Sequence, residues 1–190
     1  MKYAIFSKRA YQIIFVLYFL FLIYVLFFGF NRSLFSPSYG YRFNIVPDRI
    51  PLWWPQQYSF DILKLRIIDL GNLLVFVPFG FILPILASNK LKRFWPFMGV
   101  FFTFIFAVEL TQMLTYRGSF DILDIILNCF GAAIGFLGYI AVRNERSALK
   151  KIVRLFVVIV GCTILMHIFA AGYNEIFTPL LEPYVMKQYK

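Results

Sequence analysis

The sequence predicts an all-α integral membrane protein: a bundle of about five transmembrane helices with an aromatic, proline-rich extracytoplasmic loop between the first two. Three observations predict it. Of 190 residues, 61% are apolar and 15% charged, far from the balance of a soluble domain. The apolar residues, 25 Phe and 12 Tyr among them, come in uninterrupted blocks and do not alternate with polar ones over long stretches. The Lys and Arg behind the formal net charge of +10 cluster between those blocks. That pattern is a topology signal, and no nucleic-acid partner is expected from it.

A bilayer core of about 30 Å needs roughly 20 helical residues. Five blocks qualify: Ile13 to Phe30, Ile67 to Ser88, Phe94 to Thr115, Ile122 to Val142 and Leu155 to Tyr173. The first is too long for a typical signal-peptide core and is followed by Phe28-Gly29-Phe30-Asn31, not a small-residue cleavage site, so it reads as a retained helix. The chain thus divides into 1–30 (N-terminal segment and first helix), 31–66 (extracytoplasmic loop), 67–142 (a core of three helices) and 143–190 (basic cytoplasmic loop, fifth helix and tail).

Basic residues mark the cytoplasmic side. Lys2, Lys8 and Arg9 precede the first block; Lys90, Lys92 and Arg93 follow the second; Arg143, Arg146, Lys150, Lys151 and Arg154 follow the fourth. The expected orientation is therefore N-terminus cytoplasmic and C-terminus extracytoplasmic. The long first loop carries five basic residues against two acidic ones, but length makes its charge less decisive. Its Pro37, Pro47, Pro51 and Pro55 stand among Phe35, Tyr39, Tyr41, Phe43, Trp53, Trp54 and Tyr58. Such a segment reads as an interfacial aromatic belt, or as a lid whose rings stack on sugars or headgroups.

The few polar residues inside the blocks converge in depth. At about 1.5 Å per residue, Glu109 lies roughly 24 Å along the third block from Arg93, Asn128 about 10 Å into the fourth and Asn72 about 8 Å into the second. All three fall near the outer boundary. Asp69 with Asn72, Glu109 with Gln112, and Asp121, Asp124 and Asn128 repeat at three or seven residues, so each helix carries a polar stripe. A charge facing lipid costs several kcal/mol, which turns such stripes toward each other or toward a wet cavity. Arg117, in the link between the third and fourth blocks, is expected to pair with Glu109, Asp121 or Asp124. The predicted ligand-binding set is Asn72, Glu109, Gln112, Arg117, Asp121, Asp124 and Asn128. Its acidic balance suits an amine-bearing or hydroxyl-rich ligand better than a bare phosphate.

Structural alternatives stand beside these readings. Asp121 with Asp124 resembles a helix N-cap with an acidic first turn, and the amides could simply join helix to helix. Gly131, Gly135 and Gly138 form a small-residue stripe suited to close packing. Pro78 and Pro84 are expected to kink the second helix and free carbonyls. His167, alone on an apolar helix, reads as a structural imidazole. Cys129 and Cys162 support neither a disulfide framework nor a zinc site, and no cofactor or metal is expected.

Several segments together resemble the VanZ-like membrane proteins. They are Asn44-Ile45-Val46-Pro47; Gly71-Asn72-Leu73-Leu74 with Phe76, Pro78 and Gly80; Glu109-Leu110-Thr111-Gln112; and Arg117-Gly118-Ser119-Phe120-Asp121-Ile122-Leu123-Asp124 with Asn128 and Gly131. The resemblance covers about residues 40 to 142. It implies a bacterial cell-membrane protein associated with resistance to teicoplanin and related lipoglycopeptides. Three functions follow for comparison. The first, which the lack of a Ser, His or Cys catalytic pairing favours, is a non-enzymatic binder of a membrane lipid, a lipid-linked wall precursor or the drug's anchor. The second is an intramembrane enzyme modifying a lipid or precursor headgroup, with Glu109 as general base or acid and Asp124 as its partner or as a ligand to a hard cation, Mg²⁺ or Ca²⁺. The third is a proton-coupled carrier or flippase, which the nearly charge-free inner halves of the blocks do not support.

Overall fold

The computed structural model describes residues 7–29, 40–47, 50 and 59–188. Helix α1 (Lys8–Phe28) starts at Ser7, whose hydroxyl accepts from Ala10 N at 3.2 Å. Then come the two-residue strand β1 (Phe43–Asn44), α2 (Phe60–Val75), α3 (Val77–Leu86), a 3-10 turn at Asn89–Lys92, α4 (Phe94–Leu114), β2 (Phe120–Asp121), α5 (Ile122–Val142) and α6 (Ala148–Gln188). Among the described residues, five helical spans are long and apolar enough to cross a membrane: Lys8–Phe28, Asp69–Leu86, Phe94–Leu114, Ile122–Val142 and Ala148–Leu180. The all-α membrane bundle expected from the sequence is the observed fold.

Two boundaries differ from the sequence reading, each for a physical reason. Helix α2 begins at Phe60, inside the stretch expected to be loop up to residue 66. Charged residues at a helix end beyond the hydrocarbon do not stop the helix, and no proline follows Pro55 before α2. Helix α6 runs 41 residues, about 62 Å, twice the hydrocarbon thickness, so its ends stand out of the bilayer. The break at Phe76, between α2 and α3, divides the second span where the kink from Pro78 was expected. Pro78 has no N–H to offer Leu74 and its ring crowds that carbonyl, so the helix yields just ahead of it. The Tyr18 hydroxyl of α1 donates to Val75 O at this break. Pro84, by contrast, sits inside α3.

The core is aromatic. Phe76, Phe79, Phe97, Phe101 and Phe136 are buried, and edge-on pairs such as Phe76–Phe101 (5.2 Å between centroids) join α2–α3 to α4. Edge-on packing sets the positive rim of one ring against the negative face of another, which stabilises pairs beyond area burial. The glycines of α5 pack as the sequence suggested, backbone against backbone. A Cβ at Gly131 would stand 1.9 Å from Leu73 O, one at Gly135 2.0 Å from Val77 O, and one at Gly80 2.0 Å from Ala132 O. Gly138 faces the Leu155 side chain of α6. Cys129 and Cys162 are free thiols, and His167, on the exposed side of α6, bonds through Nδ1 to Thr163 O at 2.8 Å. The aromatic loop residues Phe35, Tyr39, Trp53, Trp54 and Tyr58, with Pro37, Pro51 and Pro55, lie outside the described residues.

Candidate functional site: a polar cluster roofed by a parallel bridge

The site is assembled from both ends of the chain. Strands β1 and β2 pair in parallel, Phe43 opposite Phe120 and Asn44 opposite Asp121, with Phe120 N donating to Arg42 O at 3.0 Å. This pairing brings the Asn44-Ile45-Val46-Pro47 motif onto the Ser119-Phe120-Asp121 motif, 77 positions away in sequence. Asn44 Nδ2 stands 3.5 Å from Asp121 Oδ2, a long contact. Asp121 Oδ1 accepts from Leu123 N at 2.8 Å and so caps α5. The N-cap alternative for Asp121 is therefore realised, and it coexists with the contact to Asn44.

One turn into α5, Asp124 Oδ1 accepts from Asn72 Nδ2 of α2 at 2.6 Å. A further turn along the same face lies Asn128, 2% exposed, whose Oδ1 accepts no hydrogen bond among the described residues. Glu109 on α4 is equally buried at 2% and has an interaction partner. A buried amide oxygen left unfilled costs on the order of 1–3 kcal/mol, so Asn128 is a place where the fold keeps a cost that packing alone would remove. Among the described residues, no three His, Cys, Asp or Glu side chains converge closely enough to hold a metal ion.

Gln112 and Arg117 are placed differently. Gln112, 1% exposed, donates Nε2 to Leu26 O at 2.8 Å, and Arg117 Nη1 donates to Phe27 O at 3.3 Å while its guanidinium lies 4.4 Å over the Phe28 ring. Leu26 and Phe27 belong to the last turn of α1, where carbonyls have no partner within the helix. The two side chains supply those partners, and the Arg charge complements the negative end of the helix dipole. The ion pair expected between Arg117 and Glu109 is not among those formed by the described residues. The physical reason is the chain reversal after α4. Tyr116 takes a left-handed backbone (φ 56°), Arg117 N bonds Gln112 O at 2.9 Å and Tyr116 N bonds Met113 O at 3.1 Å. This closing motif normally uses glycine at the left-handed position. It turns Arg117 toward α1.

Tyr116 stacks on Tyr41, just ahead of β1 in the strap formed by residues 40–47 and 50, with centroids 5.2 Å apart and planes at 17°. A hydrogen bond with Tyr41 holds its phenol above the ordinary range. The far end of the strap is fixed by α6. Tyr173 OH donates to Pro47 O at 2.6 Å; Asn174 Oδ1 accepts from Ile50 N at 2.9 Å and its Nδ2 donates to Ile50 O at 3.2 Å. Asn44, Tyr173 and Asn174 were not among the predicted site residues. Asn44 had a signal in its motif beside Pro47, whereas Asn174 marked only the end of an apolar block.

The family model described as VanZ/LLP1 matches residues 15–143, more than half of the chain. Comparison with curated proteins and with solved structures found no match. The matched region contains most of α1, all of α2 to α5, both strands and all seven predicted site residues, while Tyr173 and Asn174 lie beyond it. With its five apolar spans, this chain is a multi-pass membrane protein that belongs to the VanZ/LLP1 family.

Proposed function

We propose that the protein holds, without transforming it, the headgroup of a membrane lipid, a lipid-linked wall precursor or the lipid anchor of a glycopeptide drug. Binding takes place at the polar cluster of Asn72, Asp124, Asn128 and Glu109 beneath the β1–β2 bridge, and it reduces the drug's access to its target. The association of VanZ-like proteins with glycopeptide resistance supports this reading. The single observation that carries it is the buried Asn128 amide with its unfilled acceptor, one turn beyond the Asn72–Asp124 bond. A headgroup bearing N–H or O–H donors fills that acceptor one turn from the Asp124 carboxylate. Gln112 and Arg117 act on this site indirectly, by fixing the end of α1. The cluster faces outward, with the N-terminus cytoplasmic and the C-terminus extracytoplasmic, because the basic connections lie at the opposite ends of the spans.

Two measurements test this. Purified protein is analysed by mass spectrometry for retained lipids and precursors; Asn128→Leu and Glu109→Gln are expected to lower retention at least about fivefold, on the scale of one lost buried hydrogen bond. A modified headgroup that appears only when Glu109 is intact would replace binding with catalysis. For orientation, a cysteine at Gly118 should react with an impermeant reagent from outside and one at Ser147 only after permeabilisation. The reverse pattern defeats the outward-facing site.

A further inference from the structure

The strap at residues 40–47 and 50 is held at two ends by different parts of the chain. At one end, β1 pairs with β2 inside the family-matched core. At the other, Tyr173 and Asn174 of α6, beyond that core, take its backbone. The Asn174 amide accepts from the N–H and donates to the C=O of one residue, Ile50, as a neighbouring strand would. Ile50 is fully buried, and Pro47, with no N–H, offers only the carbonyl that Tyr173 takes. Within the first anchor stands Asn44, whose amide meets Asp121, and Asp121 caps the helix that carries Asp124 and Asn128.

We infer that Tyr173 and Asn174 are positioning residues for the polar cluster: through the strap they hold Asn44 and the β1–β2 bridge as a wall of the headgroup site. The inference rests on the reading of that cluster as a lipid-headgroup site. It assigns α6, a helix outside the matched core, a part in ligand retention that its largely lipid-facing surface does not suggest. Loss of the clamp frees the strap from its Pro47–Ile50 end and loosens the bridge without touching any group that meets the ligand.

The test uses the full chain in detergent or nanodiscs, comparing wild type with Asn174→Ala, Asn174→Asp and Tyr173→Phe by amide hydrogen exchange and by mass spectrometry of co-purified membrane lipid. Asn174→Asp keeps the acceptor for Ile50 N but loses the donor to Ile50 O, so it is expected to lie between wild type and alanine. For Asn174→Ala, exchange at Ile50 and at the bridging Phe120 amide should rise about tenfold or more, lipid retention should fall severalfold, and exchange within α4 and α5 should stay as in wild type. Faster exchange at Ile50 with Phe120 still protected would overturn the inference, because α6 would then pin one residue and not the wall. A loosened bridge with undiminished lipid retention would overturn it as well. If wild type itself retains no lipid, the headgroup reading fails, while the exchange data still decide whether α6 holds the bridge. Should Asn174→Ala fold poorly, Tyr173→Phe, which removes one hydroxyl, carries the same comparison.

Discussion

Helices α5 and α6 are both long, apolar and adjacent in sequence, yet they are held in the molecule by opposite means. Over an 18-residue apolar stretch of each helix, 56% of the α5 residues are buried against 6% of those of α6. Helix α5 presses its glycines onto the backbones of α2 and α3, so its position is set by the absence of side chains. Helix α6 shows lipid an almost continuous row that includes Ile152, Phe156, Ile159, Leu165 and Ile168, and meets the rest at a few points: Met166, Ala170, the Phe130–Phe169 ring pair and the Tyr173–Asn174 clamp. In lipid there is little hydrophobic gain from burying one apolar helix against another, so close packing and polar contacts decide association. One helix uses the first means through its middle, at Gly131 and Gly135. The other uses the second at two places, Arg154 near its start and Tyr173–Asn174 farther along.

The largest expected effect breaks the α5 side of this comparison. Gly131→Ala places a Cβ 1.9 Å from Leu73 O, an approach no rotamer relieves because the atom it meets is backbone. Helix α5 must retreat, at a cost of about 1–3 kcal/mol or more, and Gly131→Leu should not fold. Thermal unfolding in detergent measures it; an unchanged midpoint for Gly131→Ala would mean that α5 is not seated on α2 as described. The next effect concerns the end of α1. Gln112→Leu leaves Leu26 O without its buried donor and should cost on the order of 1–3 kcal/mol. Arg117→Met should cost less, since its contact to Phe27 O is longer and only part-buried. The two losses should be coupled, because both act on neighbouring carbonyls of one helix turn. Coupling of Arg117 with Glu109 in the same assay, and none with Gln112, would restore the ion pair and reassign the arginine.

A smaller effect is expected on the lipid face of α6. Leu165, 66% exposed to the bilayer side, exchanges one apolar environment for another on folding, so Leu165→Ala should change stability by less than about 0.5 kcal/mol. A loss as large as that at Gly131 would show α6 buried against something in the membrane, such as a second copy of the chain.

The number and order of the spans were legible in the sequence because a bilayer requires uninterrupted apolar blocks, and Asp69, Glu109 and Asp124 interrupt them too rarely to hide them. Helix ends were less legible, since α2 and α6 continue into water, where nothing in lipid hydropathy limits them. Within the site, the Asn72–Asp124 bond joins two of the polar stripes, spaced at three and seven residues, that were expected to face one another. The same spacing set Gln112 on a face with Glu109 and left Arg117 in the link without fixing which helix either would meet, and both turn to α1. The strap was invisible for another reason. Asn44 meets Asp121 across 77 positions and Asn174 meets Ile50 across 124, with only two-residue strands between them, too short to leave an alternating pattern.

The smallest effect lies where α5 hands over to α6. Glu145 accepts from Arg146 N at 2.8 Å and Ser147 N at 3.1 Å, and its other oxygen stands 2.9 Å from Arg154 Nη2. These backbone donors, more than the arginine, hold its carboxyl below the ordinary carboxylate range. A carboxyl whose pKa is lower folded than unfolded binds fewer protons in the native state, so its stabilisation is full above the unfolded value and disappears as pH falls through the folded one. The hairpin should therefore be indifferent to pH near neutrality and lose this contribution only in acid. Glu145→Gln keeps the shape and removes the charge, so its unfolding midpoint should lie slightly below that of wild type at neutral pH, and the gap should close on acidification. Because Arg154 Nη1 also donates to Ala141 O at 3.1 Å, the arginine should stay in place when the carboxylate is neutral, which keeps the loss small. A gap that persists in acid would assign the effect to shape instead of charge. One that widens would reverse the sign argued here and mean that the Glu145 carboxyl is stabilised in its protonated form.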